Sequence, residues 1–226
     1  MLYSELQCSE AIRKAVERMG FAEMTEIQEK TIPVMLAGHD VIAKAPTGTG
    51  KTCAFGIPVA EHIQPENKYP QAVIMAPTRE LAQQIAEELS NLTYFMPEVQ
   101  VACVYGGANM EKQAKRLAEG CQIVVATPGR LMDHYKHHSI DISHVTQIVL
   151  DEADEMLNMG FYKDVRHIIE MMKARKALSM FSATISREVM DIGWLYQHNA
   201  EEITVQPQEE SQPKITQYML ETSGRN

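Results

Sequence analysis

Short apolar runs alternate with longer amphipathic stretches along most of this chain. The apolar runs are rich in Val, Ile, Ala and Leu, a composition typical of strands that are buried on both faces of a sheet. We predict strands at 41–44, 72–76, 99–104, 123–127, 147–151 and 178–182, and a weaker seventh strand at 203–205.

The stretches between these runs have helical periodicity. We predict helices at 51–62, 79–91, 110–119, 129–136, 156–172 (interrupted near Gly160) and 187–197. This alternation of strands and helices predicts an α/β fold, with a mainly parallel sheet of about seven strands flanked by helices on both faces. Two further predicted helices, at 9–19 and 25–36, precede the first strand.

The domain organisation follows from the same pattern. A chain of 226 residues suits one large domain with appendages. We divide it into an N-terminal extension at 1–36, an α/β domain at 37–206 and a closing segment at 207–226. The closing segment is polar at first and then contains one short apolar patch at 215–220.

Composition and charge narrow the class of protein. Hydrophobic residues make up 45% of the chain and charged residues 23%, as in ordinary globular domains. No apolar run approaches the ~18 residues of a membrane helix, and the first residues do not resemble a signal peptide. We therefore expect no membrane association and a cytoplasmic location. The four cysteines include no C-x-x-C pair, so neither a zinc site nor a disulfide framework is predicted.

The formal net charge of −9 argues against broad electrostatic binding to nucleic acid. Any contact with RNA or DNA must therefore be local, made by a few side chains and backbone N–H groups. His134, His137 and His138 lie near one face of a predicted helix. Because they have no suitably spaced acidic or cysteine partner, we predict surface histidines and not metal ligands.

A phosphate-binding loop is predicted directly after the first strand, with the sequence Ala45-Pro46-Thr47-Gly48-Thr49-Gly50-Lys51-Thr52. Its glycines allow backbone N–H groups to point at phosphate oxygens, and the following helix adds the positive end of its dipole. Lys51 would reach the β- and γ-phosphates, and the Thr52 hydroxyl would bind Mg²⁺.

Acidic residues follow the fifth predicted strand, in the order Asp151-Glu152-Ala153-Asp154. Asp151 is expected at the end of that strand, facing the phosphate loop, where it can hold Mg²⁺ through water. Glu152 can orient or deprotonate an attacking water molecule. Acidic clusters are often solvated helix starts, but the upstream phosphate loop favours the catalytic interpretation, with Lys51, Asp151 and Glu152 as its residues.

Further motifs occur in a fixed order along almost the whole chain. They are Gly20-Phe21-x-x-x-Thr25-x-Ile27-Gln28, the phosphate loop, Pro77-Thr78-Arg79-Glu80-Leu81-Ala82, Gly106-Gly107, Thr127-Pro128-Gly129-Arg130, the acidic cluster and Ser182-Ala183-Thr184. In this order they resemble the N-terminal, RecA-like half of a bacterial-type DEAD-box ATP-dependent RNA helicase, a P-loop NTPase.

The resemblance implies ATP and Mg²⁺ as cofactors. It assigns adenine recognition to Gln28, packing near the base to Tyr3 and Phe21, and the phosphates to the loop residues Thr47, Gly48, Thr49, Gly50, Lys51 and Thr52. Tyr3 stands where the family usually has Phe, and Met24 where it usually has Pro. Thr25 and Gln28 also match a helix capping box, and the two roles of Gln28 are compatible.

The resemblance also implies an RNA surface that contacts the backbone without reading sequence. Its residues would be Pro77, Thr78, Arg79, Gly106, Gly107, Thr127, Pro128, Gly129 and Arg130. Taken one by one, these residues also suit ordinary strand-to-helix turns. Asp154, Ser182 and Thr184 would couple the nucleotide site to interdomain motion.

The function implied is ATP hydrolysis coupled to local unwinding of RNA duplexes. A second RecA-like domain, with an arginine finger, would be required, and nothing in 1–226 resembles it. Because 215–220 resembles the linker into such a domain, we expect a fragment that is monomeric and nearly inactive alone. The alternatives are a non-catalytic nucleotide- or RNA-binding module and a DNA helicase or translocase. A nucleotide kinase is disfavoured, since no lid is apparent.

Overall fold

A computed structural model of the protein describes residues 1–206. The predicted linker at 207–226 lies outside the described residues. Within residues 1–206, no helix is both long enough and apolar enough to cross a membrane, and the four cysteines are free thiols.

The centre of the fold is a seven-stranded sheet in which every strand pair is parallel. The strands are β1 (Val41–Lys44), β2 (Ala72–Met75), β3 (Val101–Val104), β4 (Ile123–Ala126), β5 (Gln147–Leu150), β6 (Ala177–Ser182) and β7 (Glu201–Thr204). Their order across the sheet is β3-β4-β2-β5-β6-β1-β7. The predicted α/β fold is confirmed, and each predicted strand is present with ends that differ from the prediction by at most two residues.

Helices connect the strands and cover both faces of the sheet. They are α1 (Glu10–Arg18), α2 (Glu26–Leu36), α3 (Lys51–Glu61), α4 (Arg79–Leu92), α5 (Met110–Ala118), α6 (Pro128–Lys136), α7 (Ala153–Met156), α8 (Tyr162–Met171) and α9 (Arg187–Tyr196). The helix predicted at 156–172 starts earlier than expected, and a π-helical turn, Leu157–Phe161, separates α7 from α8. Gly160 in that turn has a φ of +91°, which ends the regular helix there.

Two hydrophobic layers form the core, one on each face of the sheet. The first packs α1 to α4 against the sheet around Phe55 and Phe181, whose rings meet edge to face at 5.2 Å. The second packs α6, α8 and α9 against the other face. Gly56 lets α3 approach α4 closely, because a Cβ there would lie 2.8 Å from a methyl carbon of Leu92.

The N-terminal extension belongs to the first layer. Tyr3, Leu6, Ile12 and Ile27 are buried in the same cluster as Ala43 of β1. The extension is therefore held against the sheet by apolar packing.

The parallel sheet brings the carboxyl ends of its strands to one edge. β6 lies between β1 and β5, and Ser182 at the end of β6 is opposite Lys44 of β1. The loops after β1, β5 and β6 consequently meet on one half of this edge, and the loops after β2, β3 and β4 meet on the other half. Ligands of such sheets bind at this edge.

Candidate functional site

The loop between β1 and α3 forms the turn predicted for phosphate binding. Gly48 and Gly50 adopt left-handed backbone conformations, with φ of +80° and +83°. The Thr49 hydroxyl donates to the carbonyl oxygen of Pro46 at 2.8 Å and closes the loop. Because α3 begins at Lys51, its unpaired N–H groups open into the same space.

Lys51 and Asp151 form a buried pair of opposite charges beside this loop. Lys51 Nζ lies 4.0 Å from Asp151 Oδ1 and 3.5 Å from the carbonyl oxygen of Ala45. Burial raises the pKa of Asp151 to about 6, against the opposing effect of the Lys51 charge. The pair places a cation and a carboxylate where the loop would hold phosphates.

A cleft of about 550 Å³ surrounds the pair, and we call it the phosphate-loop cleft. Its lining comes from the α/β domain and from the N-terminal extension, and includes Thr47, Gly48, Gly50, Lys51, Thr52, Asp151 and Glu152 together with Tyr3, Phe21, Thr25 and Gln28. The sheet and the extension thus bring together nearly all of the residues predicted to bind the nucleotide.

Glu152 occupies a strained position at the cleft. Its φ of +48° and ψ of +50° are left-handed, which is rare for a residue other than glycine. Its backbone N–H donates to Asp151 Oδ1 at 3.0 Å. Strain of this kind costs of order 1–3 kcal/mol and concentrates at functional sites.

The Gln28 amide joins the N-terminal extension to the phosphate loop. Gln28 Oε1 accepts from the Thr25 N–H at 2.9 Å and from the Tyr3 hydroxyl at 2.6 Å, and Gln28 Nε2 donates to the Gly50 carbonyl at 3.0 Å. The Thr25 hydroxyl donates to the Thr49 carbonyl at 2.8 Å. The bond from Thr25 N–H is one half of a capping box.

Asp154, Ser182 and Thr184 are connected by hydrogen bonds between α7 and the end of β6. Asp154 Oδ2 accepts from the Thr184 N–H at 2.9 Å and from its hydroxyl at 2.7 Å, while Ser182 Oγ accepts from the Asp154 N–H at 3.1 Å. Burial acts to raise the pKa of Asp154, but the hydrogen bonds that its carboxylate accepts, above all from Thr184, outweigh this effect and lower the pKa.

The donor set of the cleft suits Mg²⁺. The Thr52 hydroxyl and the Asp151 carboxylate offer hard oxygen atoms, which this ion prefers. Within the described residues, no group of three or more His, Cys, Asp or Glu side chains could hold a metal ion by itself. A Mg²⁺ ion here would therefore take most of its ligands from phosphate and water.

The other half of the sheet edge carries the residues predicted to contact RNA. Thr78 caps α4 by accepting from the Leu81 N–H at 3.3 Å. Arg79 is exposed and contacts Glu80. Gly107 has a φ of +81°, and a Cβ there would lie 3.9 Å from Arg79 Nη1, so the loops after β2 and β3 are adjacent.

Arg130 and His134 of α6 are turned into the protein, in a polar cluster that we call the Gln113 network. Gln113 Nε2 donates to the Tyr105 carbonyl at 3.1 Å, and Gln113 Oε1 contacts Arg130 Nη1 and His134 Nε2, both at 3.0 Å. Arg130 Nη1 also donates to the Ala108 carbonyl at 3.0 Å. The network thus holds the loop that contains Gly106 and Gly107 against α6.

The prediction of a surface position for His134 is wrong, because this side chain is fully buried. Burial, with a smaller contribution from Arg130, lowers its pKa. Arg130 is one of the residues predicted for the RNA surface, but its side chain is only 12% exposed, and its Nη1 donates to the carbonyl of Ala108 in the loop after β3.

Sequence reasoning missed several residues of these sites. Glu88 and Gln84 of α4 and Cys53 of α3 line the phosphate-loop cleft, and Gln113 organises the second cluster. The sequence around these residues does not indicate a functional role, since ordinary amphipathic helices contain the same residue types.

The strand order, the loop between β1 and α3 and the Lys51–Asp151 pair together define a RecA-like P-loop domain. Solved structures agree with this class. A DEAD box protein from Methanococcus jannaschii matches with a TM-score of 0.85 and 38% identity, over 91% of this chain and 56% of that chain. A hypothetical ATP-dependent RNA helicase from Sulfolobus tokodaii matches with a TM-score of 0.80 and 40% identity, over 87% and 57%.

The chain belongs to the DEAD/DEAH box helicase family, whose sequence model matches residues 25–192. The resemblance inferred from the motifs is thereby confirmed. Among curated relatives, the ATP-dependent RNA helicase CshA of Limosilactobacillus reuteri is 45% identical over 97% of this chain. The DEAD-box ATP-dependent RNA helicase CshA of Geobacillus kaustophilus is 44% identical, also over 97%.

This chain spans less than half the length of these curated relatives. It covers 44% of the first and 47% of the second.

Proposed function

We propose that this chain is the ATP-binding half of an ATP-dependent RNA helicase. The observation that carries the proposal is the convergence of a buried cation, a carboxylate and the N-terminus of α3 on one cleft, beside the Gln28 amide. In the proposed arrangement, the N–H groups of residues 47–50 and Lys51 Nζ bind the phosphates. Gln28 contacts the adenine, and Tyr3 and Phe21 pack near it.

Glu152 is the proposed base that orients or deprotonates the attacking water. It follows Asp151 directly, and its left-handed backbone directs the chain from β5 into α7 at the cleft. Thr52 and Asp151 would hold Mg²⁺, which when bound supplies positive charge to the phosphate oxygens. A cation there also favours the ionised form of Asp151, whose pKa is otherwise raised.

RNA is proposed to bind across the loops after β2, β3 and β4. Arg79 is the exposed cation of this surface, and the N-termini of α4 and α6 offer backbone N–H groups to phosphates. We assign Arg130 a positioning role, since it fixes the loop around Gly107 through the Gln113 network. Such contacts follow the sugar–phosphate backbone, and the 2′-hydroxyl would distinguish RNA from DNA.

The hydrogen bonds among Asp154, Ser182 and Thr184 connect the phosphate-loop cleft to the end of β6. We propose that they transmit nucleotide state to a second RecA-like domain of the same protein. An arginine finger from that domain would be worth roughly 10³–10⁵ in rate, so this chain alone should be nearly inactive. A monomeric state of this chain is a further part of the proposal. A cytoplasmic location is part of the same proposal.

The test is ATP hydrolysis by the longer protein that contains this chain, with and without RNA. RNA should stimulate hydrolysis, and Glu152→Gln should abolish it while nucleotide binding persists. Glu155→Gln is the matched control, since it removes an exposed carboxylate of α7, three residues after Glu152, and it should leave the rate unchanged.

Two results would contradict the proposal. Equal stimulation by single-stranded DNA would indicate a DNA helicase or translocase. Unchanged biological activity of the Glu152→Gln protein would indicate a non-catalytic binding module.

A further inference from the structure

A cavity of about 260 Å³ lies at the amino edge of the sheet, opposite the phosphate-loop cleft, and we call it the amino-edge cavity. Its walls come from the ends of α2 and α3, from β5 and β6, and from the segments that enter β2, β5 and β6. Residues of these two helices and two strands that line it are Met35, Val59, Gln147, Val149, Ala177 and Ser179. None of the residues predicted to bind nucleotide or RNA lines this cavity.

Small side chains beside Gln147 leave this space open. Gln147 begins β5, and its register partners on the two neighbouring strands are Ala72 of β2 and Ala177 of β6. Register partners in a parallel sheet point to the same face, so only two methyl groups flank the longer amide side chain. Ser179, two residues after Ala177, is on that face and is also small.

The buried amide of Gln147 has a partner at one end only. Gln147 is 9% exposed. Its Oε1 contacts His62 Nδ1 at 3.3 Å, and the other ring nitrogen of His62 contacts the Leu36 carbonyl at 3.1 Å. Gln147 Nε2 has no hydrogen-bond partner among the residues that the structure describes. Because an unpaired buried donor is unfavourable, a ligand that supplies an acceptor oxygen here would gain free energy.

The mouth of the cavity carries positive charge. Lys176 directly precedes Ala177 and is exposed, and with His39 it lines both the cavity and a neighbouring surface depression. Two acidic side chains beside this mouth already have partners. Asp40 accepts from two backbone N–H groups at 2.7 Å, and Glu201 lies 3.7 Å from His39. The Lys176 ammonium is therefore available to an anion.

Apolar and aromatic side chains form the other walls. Met35 and Val59 are buried, and the rings of Tyr69 and His144 stack on each other at 4.3 Å. An apolar cavity of about 150 Å³ can hold benzene. The amino-edge cavity is larger, so it can accommodate one or two aromatic rings.

The geometry points to a second ligand site, in which the amino-edge cavity binds a small aromatic carboxylate. The apolar walls enclose the ring, while Gln147 Nε2 and the Lys176 ammonium bind the carboxylate. This site is separate from the phosphate-loop cleft and does not depend on the proposed function.

The test is an NMR titration of the chain with 2-naphthoate, observed at the side-chain NH₂ resonances of Gln147. These resonances are assigned by their absence from Gln147→Leu. We expect them to shift, with a dissociation constant of about 0.1–1 mM for a ligand of this size.

Variants measured at the Ala177 backbone amide test the role of the amide. Gln147→Leu should weaken the binding of 2-naphthoate about tenfold, because a hydrogen bond to a charged group is lost. Gln100→Leu is the matched control, since it makes the same change at an exposed glutamine outside the cavity, and it should leave the affinity unchanged.

The uncharged analogue 2-naphthamide tests the role of charge. Lys176→Gln should weaken the binding of 2-naphthoate by about 2- to 5-fold and leave that of 2-naphthamide unchanged. Lys173→Gln, at an exposed lysine outside the cavity, should alter neither affinity. Because Lys176 is exposed, this comparison holds even if Gln147→Leu fails to fold.

Unshifted Gln147 side-chain resonances near the solubility limit of 2-naphthoate would overturn the inference and indicate a cavity that holds only water. Equal affinity of the wild type and folded Gln147→Leu would overturn it as well. Tighter binding of 2-naphthamide than of 2-naphthoate would overturn the assignment of an anionic ligand.

Discussion

Gly48 and Gly50 of the phosphate loop share a backbone conformation but not an environment. Both have left-handed φ values near +80°. A Cβ at Gly48 would have no atom within 4 Å, whereas a Cβ at Gly50 would lie 2.5 Å from Gln28 Nε2. Comparing substitutions at the two positions therefore separates the cost of backbone strain from the cost of crowding against the N-terminal extension.

We expect Gly50→Ala to destabilise the protein more than Gly48→Ala. The left-handed conformation costs an alanine roughly 1–2 kcal/mol at either position. Displacing Gln28 should add about 1–3 kcal/mol at position 50 alone. Urea unfolding monitored by circular dichroism measures both values.

The Gln28→Ala background provides the control for this comparison. In this background, Gly48→Ala and Gly50→Ala should lower the free energy of unfolding by similar amounts. Equal losses in the presence of Gln28 would show that Gly50 is not packed against this amide.

For single residues, the sequence predicted those that follow strands and missed those whose contacts join distant positions of the chain. Lys51 could be placed by the glycine-containing loop that follows β1, and Asp151 because it comes directly after the apolar run of β5. The contact between Gln113 and His134 joins positions 21 residues apart on two ordinary helices, so no local pattern indicates it. Burial of His134 depends on that packing.

Among the elements, α6 is attached to the loop after β3 through the Gln113 network. Gln113 Oε1 must accept, because Gln113 Nε2 donates to the Tyr105 carbonyl. His134 Nε2 therefore carries a proton and donates it to Gln113, and burial lowers the pKa of the ring. Protonation of the folded protein at His134 is disfavoured relative to the unfolded chain, whose histidines titrate near 6.5.

We expect His134 to make the protein less stable as the pH falls from 7 to 5. The unfolded chain takes up a proton in this range that folded His134 resists, so the free energy of unfolding decreases by at most about 1.4 kcal/mol per pH unit. His134→Gln removes this titration, and its unfolding free energy should depend less on pH than that of the wild type.

Chemical unfolding at several pH values measures the slope. His167→Gln replaces an exposed histidine of α8 and should retain the wild-type slope. If His134→Gln and the wild type had the same slope between pH 7 and 5, His134 would not be held neutral in the fold.

The contact between α7 and β6 depends on Ser182, which is fully buried. Ser182 Oγ accepts from the Asp154 N–H and donates to the Thr184 carbonyl at 2.7 Å. Ser182→Ala leaves both groups without this partner, so we expect a loss of about 1–3 kcal/mol in unfolding free energy. Thermal and urea unfolding at pH 7 measure it.

Ser179→Ala is the control, because it makes the same truncation at a buried position of β6 away from Asp154. It should cost less than Ser182→Ala. Equal losses from the two variants would mean that the hydrogen bonds of Ser182 contribute nothing beyond packing.

Element type was predictable, and element boundaries were less so. Periodicity identified the helices because each buries one face against the sheet. It identified the strands because most of them are buried on both faces. The π-helical turn at Leu157–Phe161 was not predicted in that form, since sequence showed only Gly160 as a possible interruption. The helix start at Ala153 depends on the left-handed backbone of Glu152, which no periodicity reveals.

The whole molecule separates two sets of motifs on one sheet edge. The residues of the phosphate-loop cleft lie mainly in the loops after β1, β5 and β6. The residues of the proposed RNA surface lie in the loops after β2, β3 and β4. The strand order could not be derived from periodicity, which does not determine the pairing of distant strands. The family resemblance supplied the RecA-like fold class but no strand order, and the structure confirms a RecA-like sheet.

The central claim is that the phosphate-loop cleft binds a nucleotide through Lys51. The most direct measurement is a calorimetric titration of this chain with Mg-ADP, for the wild type and for Lys51→Met, with Lys14→Met as a control on the exposed face of α1. The wild type and Lys14→Met should bind with the same affinity. Lys51→Met should lose at least about tenfold, since it removes the buried ammonium that is proposed to contact the phosphates. Undiminished binding by Lys51→Met, or no binding by the folded wild type, would contradict the account.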